Sequence, residues 1–395
     1  PVDHFKALAP DHWYLLEKDG THKNYSGCGN TLKCAHPTSR RMIRECLIYW
    51  AHEMGVDGFR FDLATILNRD ASGNVMDFPQ LLWELRNDPS LKNIKLIAEP
   101  WDASGAYELG KASGLADWAE WNDKYRDTVR RALRGEEKMM EALKASILGS
   151  PEIFGSVDSG RKYSLNFLTS HDGMTLMDLV SYNEKHNEAN GEKNRDGHNS
   201  EFADNCGIEG PTNNPEIQKL RFRKVRMFQC LLQLSNGIPM LLGGDEFGRT
   251  QQGNNNAYCH DSELTWIDWE LAEKNSELLL FTRRMIALRK QHTSFLFSPK
   301  SNYQWFDASG AAEKLEPYIR TLHYEVTNSA WPEQIIRVLI NCFEQPVEFM
   351  LPEEIEWRVL IDSAKEPAEY IPPQAGSAWL EGFTVQILRA TGAQV

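Results

Sequence analysis

No run of 18 apolar residues occurs anywhere in this 395-residue chain, which excludes a membrane-spanning helix. Positive charge is scarce. Lys and Arg number 43 against 56 Asp and Glu, a formal net charge of −13. That balance leaves no basic footprint, so neither nucleic acid nor an anionic membrane is an expected partner. The cysteines at 28, 34, 46, 206, 230, 259 and 342 form no C-x-x-C pair and are odd in number. A disulfide framework or thiolate metal site is therefore disfavoured, and reduced thiols in a cytoplasmic protein are expected. Internal repeats and low-complexity segments are also lacking. The opening "PVDHFKALAP" has neither an initiator Met nor the charged and apolar regions of a signal peptide, and reads as an internal start.

What is present is a large apolar fraction, 41%, with 12 Trp and 12 Tyr. That suffices for a sizeable core and two domains, and the aromatic rings suit stacking on flat apolar faces such as sugars. Residues 36–55 space Ile43, Cys46, Leu47, Trp50 and Met54 as one face of a helix. Strands are predicted at 55–64, 94–100, 115–122, 163–173 and 237–248. Between them lie helical patterns near 78–88, from residue 123, at 218–235 and at 276–292. Strands alternating with helices imply a parallel sheet with right-handed crossovers. From about residue 298 the pattern becomes short alternating runs cut by Pro, Gly and acidic turns, an antiparallel β-sandwich. The expected domains are 1–297 and 298–395.

"GVDGFRFDLA" (55–64) places Asp57, Arg60 and Asp62 inside a run that otherwise reads as a buried strand. Buried carboxylates need partners. Arg60 and Asp62 share a strand face, so they are either a buried structural pair or a catalytic carboxylate with its cation. Asp62 ends the first predicted strand, Glu99 the second ("LIAEPWD") and Asp172 the fourth ("LTSHDG"). In a parallel barrel such ends crowd one face, where His171 would join them. Two carboxyl groups are what glycoside hydrolysis requires, one to protonate the leaving oxygen and one to attack or to activate water. Crowding keeps one of them protonated near neutral pH.

"GFRFDLA", "IAEPWD" and "FLTSHDG" resemble three of the four conserved regions of the α-amylase family of retaining glycosidases. "NYSGCGNTLKCAHP" (24–37), "HNEANGEKNRDGHN" (186–199) and "GGDEFGRTQQGNNNAYCHDSELTWIDW" (243–269) resemble its isoamylase and glycogen-operon debranching branch. The resemblance implies Asp62 as nucleophile, Glu99 as general acid/base and Asp172 as a third acid gripping sugar hydroxyls. It implies that Arg60 orients Asp62 and keeps it ionised, and that His171 contacts the sugar. Trp101 is either a sugar-stacking platform or ordinary packing. The loop at 186–199 either lines the cleft or is a solvated surface loop. Asp245 and Glu246 are expected to add acidity at the mouth in a supporting role.

The family's first region and first three strands have no counterpart here. The expected fold is thus α/β, an incomplete (β/α)8 TIM-type barrel of strands four to eight, open along its edges, followed by the antiparallel β-sandwich. The absent region normally supplies an Asp and a His to the site, so the chain alone is expected to be poorly soluble and inactive. The implied activity is hydrolysis of α-1,6 branch linkages in glycogen or limit dextrin, with branched α-glucan as partner. No redox or nucleotide cofactor is implied, and no calcium site is discernible. The alternatives are another family activity, α-1,4 hydrolysis or branch transfer, and a non-catalytic glucan-binding subunit. The implied location is the cytoplasm, or the plastid in a plant.

Overall fold

A computed structural model describes residues 4–111, 118–155, 163–311, 316, 318–365, 371–372 and 374–391. It divides into two compact units, residues 1–122 with 151–165, and residues 123–150 with 166–395. Among the described residues no helix is long and apolar enough to cross a membrane.

In the first unit the 36–55 pattern folds as helix α1 (Pro37–His52), with the His36 side chain capping the Thr38 N–H and Pro37 at the first turn. Helix α2 (Gln80–Asn87) buries Leu81, Leu82 and Leu85. These leucines pack with Leu47, Leu96, Ala98 and Trp118 in the unit's core. Strands β1 (Gly58–Phe61), β2 (Lys95–Ala98) and β3 (Ala119–Asn122) are neighbours in that order. β1 and β2 run parallel, Gly58 opposite Lys95 and Phe61 opposite Ala98. Gly58 is a close-approach position, because a Cβ there would lie 2.6 Å from the Lys95 carbonyl oxygen. β2 and β3 are also parallel. β4 (Tyr163–Phe167) follows beside β3 and runs out of this unit into the second. The predicted strand at 115–122 falls partly outside the described residues; its described end is β3.

In the second unit, β5 (Ile238–Met240) lies next to β4. Four helices supply the bulk of its first part: α3 (Asp123–Leu133), α4 (Met140–Ile147), α5 (Pro215–Leu234) and α6 (Ser276–Leu296). The Asn214 side chain caps α5. The antiparallel strands that follow are β6 (Ser301–Phe306), β7 (Thr321–Asn328), β8 (Ile336–Asn341), β9 (Val347–Met350), β10 (Glu356–Asp362), β11 (Ser377–Leu380) and β12 (Thr384–Thr391). Their order is β10-β12-β8-β7-β6 in one sheet, with β9 and β11 paired separately.

β8 is buried along its whole length, and strand alternation explains how. Val338 and Ile340 face the helix-side core, whereas Leu339 faces a second cluster with Trp357, Phe349 and Leu388.

Candidate active site

Asp62 and Glu99 each stand one residue past the end of a strand, β1 and β2. Arg60 joins them. Its Nη1 donates to Asp62 Oδ1 at 2.8 Å, and its Nη2 lies 2.8 Å from Glu99 Oε1 as an ionic contact. The guanidinium rests over the Trp121 ring, 4.4 Å from its centroid. The two carboxyl groups live in different surroundings: the Asp62 side chain is 72% exposed and that of Glu99 only 7%.

Glu99 is further fixed by the main chain. Leu63 N–H donates to its Oε2 at 2.8 Å. Ala64 N–H donates to its carbonyl, and its own N–H donates to Phe61. Leu63 adopts left-handed backbone, φ 43°, a strained conformation for a branched residue. Burial raises the Glu99 carboxyl above the ordinary range. The Leu63 N–H and Arg60 oppose that rise, while the Asp62 charge and a hydrogen bond between the two side chains add to it. The result is an acid disposed to hold its proton beside a solvent-facing carboxylate.

His171 and Asp172 belong to the second unit. Their side chains are 56% and 58% exposed, with His171 Nε2 3.5 Å from Asp172 Oδ2. The predicted strand at 163–173 is shorter than expected. β4 ends at Phe167, and residues 168–173 form a turn held by side chains in place of strand pairing. Ser170 Oγ donates to the Asp172 carbonyl, and Gly173 turns at φ +98°. Asp172 thus stands on a turn beyond a strand end. The structure groups Arg60, Asp62 and Glu99 in one unit, and His171 with Asp172 in the other.

Trp101 is half-buried in a tight loop, its N–H donating to the Glu99 carbonyl and its backbone bridged to Tyr107. Asp102 beside it is buried and bonded by Arg69 Nε at 3.1 Å and by Ser104. Burial works to raise its carboxyl, but Arg69 and Ser104 outweigh that and hold it below the ordinary range. Arg69 in turn lies over the Tyr25 ring at 3.8 Å.

Asp245 does not add acidity at a surface. It is buried, accepting from the Thr169 hydroxyl and from Leu176 N–H at 3.0 Å. Burial pushes its carboxyl up to about 7, with the neighbouring Asp178 and Glu246 charges adding to the effect. It braces the β4 turn from within. Glu246 bonds locally to Gly244 N–H.

The 186–199 loop is tied to its own unit by buried asparagines. Asn187 and Asn255 are 0% and 1% exposed and exchange hydrogen bonds with each other. Sequence reasoning missed this pair, and it missed Trp121 beneath Arg60. The "NNN" run at 254–256 is the one signal that could have pointed to the pair.

No family model matches the chain. It is 46% identical over 299 residues to the glycogen operon protein GlgX homolog of Mycobacterium tuberculosis, covering 75% of this chain and 41% of that protein. It is 39% identical over 393 residues to isoamylase SU1, chloroplastic, of Zea mays, covering 93% of this chain and 49% of that protein. The chain spans about half the length of the curated relatives it matches. Its fold matches pullulanase from Bacillus acidopullulyticus with a TM-score of 0.72 at 21% identity, over 98% of this chain and 44% of that one. It also matches a type I pullulanase of Bacillus subtilis complexed with maltose, TM-score 0.72 at 23% identity, over 98% and 51% of the respective chains.

Proposed function

Because the chain belongs to the isoamylase and glycogen-operon branch of the α-amylase family, we propose that it carries the reacting carboxyl groups of an α-1,6-glucan debranching hydrolase. The substrate is branched α-glucan, glycogen or its limit dextrin, in the cytoplasm or in a plastid. The observation that carries this reading is the Arg60 bridge between an exposed carboxyl group and a buried one that burial shifts upward.

The chemistry is a double displacement with retention. Asp62 attacks the anomeric carbon while Glu99 gives its proton to the departing glycosidic oxygen, leaving a glycosyl ester on Asp62. Glu99, now ionised, takes a proton from water. That water attacks the same carbon and releases Asp62. Asp172 grips sugar hydroxyls, His171 contacts the sugar, and Trp101 offers its indole face to a neighbouring ring.

In this reading β1 to β5 are the fourth to eighth strands of a (β/α)8 barrel that is open in this chain, and residues 298–395 are a separate β-sandwich domain. In support, β1 has β2 as its one strand neighbour among the described residues and is half-buried throughout.

The test is covalent trapping. A fluorinated glucosyl fluoride should label a peptide containing Asp62. With the absent region restored, Asp62→Asn and Glu99→Gln should each cut release of reducing ends from glycogen by several orders of magnitude, general acid catalysis alone being worth about 10²- to 10⁴-fold. Turnover of linear maltooligosaccharides in preference to branched ones would favour α-1,4 hydrolysis. Full activity in either variant would overturn the assignment.

A further inference from the structure

The turn that presents His171 and Asp172 rests on a buried polar assembly whose centre is Asn255. This residue uses every donor it has and both of its oxygens. Its N–H donates to Asn187 Oδ1 at 2.9 Å. Its Nδ2 donates to His198 O at 2.9 Å and to Glu201 Oε1 at 2.8 Å. Its Oδ1 accepts from Asn187 Nδ2 at 2.8 Å, and its carbonyl accepts the Gly173 N–H at 2.9 Å.

Glu201 extends the assembly. It pairs at 2.6 Å with the buried Arg130, whose Nε donates to the Leu168 carbonyl at 2.8 Å. Residues 168 and 173, on either side of the exposed His171–Asp172 pair, are therefore both pinned to one connected buried network. Two glycines admit the close packing. A Cβ on Gly197 would lie 2.2 Å from Asn255 Oδ1, and one on Gly173 would lie 3.2 Å from Glu201 Oε2.

We infer that Asn255, seated by Asn187, is a positioning residue that sets the height and direction of the Asp172 carboxylate. The inference rests on the reading of Asp172 as the acid that grips the sugar. A buried amide with every donor placed holds one geometry, because every alternative leaves a partner short of a bond. No other side chain reproduces the set: Asp lacks both Nδ2 donors, and Leu takes one partner each from Asn187 Nδ2, Glu201 Oε1 and His198 O.

The experiment, in the protein with the absent region restored, compares Asn255→Ala, Asn187→Ala and Asn194→Ala with the native sequence by three measurements. These are the exchange rate of the Gly173 amide, kcat and KM on a branched maltooligosaccharide, and Tm. Asn194 serves as control because it bonds Asn187 N–H and Lys185 O within the loop, away from Gly173. The expected result for Asn255→Ala and Asn187→Ala is faster Gly173 exchange and kcat lower by about 10- to 100-fold, the scale of a small misplacement of a reacting group. KM should stay within about 3-fold, as for a contact realised mainly in the transition state. Asn194→Ala should lose Tm without that fall in kcat.

Should Asn255→Ala not fold, Asn187→Ala gives the same readouts. Unchanged Gly173 exchange overturns the inference whatever the activity. An equal fall of kcat in Asn194→Ala at equal Tm overturns it as merely structural. Native turnover in a parallel Asp172→Asn variant would instead overturn the reading of Asp172 on which it rests.

Discussion

Arg60 touches two carboxyl groups with two different nitrogens, and only a planar fork can do so without moving. The sequence indicated half of this arrangement, since Arg60 and Asp62 sit two apart on one strand face. Its second partner, Glu99, lies 39 positions further along the chain and enters only through the pairing of β1 with β2. Asp245 gives a residue-scale prediction. Its carboxyl is pushed up to about 7 in the folded chain, whereas an unfolded Asp ionises near 4. Between those values the unfolded chain releases a proton that the folded chain keeps, so this residue's contribution to stability falls as pH rises through the window. In Asp245→Asn, Tm relative to the native chain should therefore rise between about pH 4 and 7 and level off above. Parallel Tm profiles for the two proteins would show that Asp245 does not titrate in this way.

At the scale of elements, α5 was legible as a helix over 218–235, but its Asn-Pro start at 214–215, which caps the first turn, was not read. Its cap carries a prediction. Asn214→Ala removes the acceptor for the Glu216 and Ile217 N–H groups and should cost about 1 kcal/mol, read as a lower urea midpoint with unchanged slope. β6 and β11 were not foreseen. "SNYQWF" alternates but opens on polar residues, and "SAWL" is only four residues long between turn formers, so neither carries a strong period. The ends of β4 and β5 were overextended for a related reason. Apolar residues continue past Phe167 and Met240, but the backbone there bonds to side chains and turns, not to a neighbouring strand. The 186–199 loop was ambiguous because its partner residues lie some 55 to 70 positions away, where no local pattern can announce them.

For the whole molecule, the two units have unequal cores. The first packs a small leucine cluster against a strand that is half-buried throughout. The second fills both faces of its antiparallel sheet and the gaps between its helices. Local stability follows the density of buried apolar contact. Native-state hydrogen exchange should therefore release the β1 and β2 amides well before those of α5, β8 and β12. Equal protection in both sets would mean that the chain opens as one cooperative body. The change of pattern near residue 298 was visible in the sequence. Nothing in composition alone marks the boundary at 122, because what joins α3 to α5 is contact between residues such as Tyr125 and Leu231.

The clasp around Glu99 has a mechanical consequence. Phe61, Leu63 and Ala64 each exchange a hydrogen bond with it, so the backbone segments bearing the two acids are riveted together and translate as one stiff body. The proposed retaining mechanism needs the two carboxyl groups about 5–5.5 Å apart when the sugar sits between them, whereas here both are drawn onto the one Arg60 guanidinium. The compliance required to open that gap cannot come from the riveted backbone or from the buried Glu99 side chain. It resides in the torsions of Asp62, whose side chain is 72% exposed and tethered by Arg60, so under the roles proposed above the nucleophile is the moving part and the acid is the anvil.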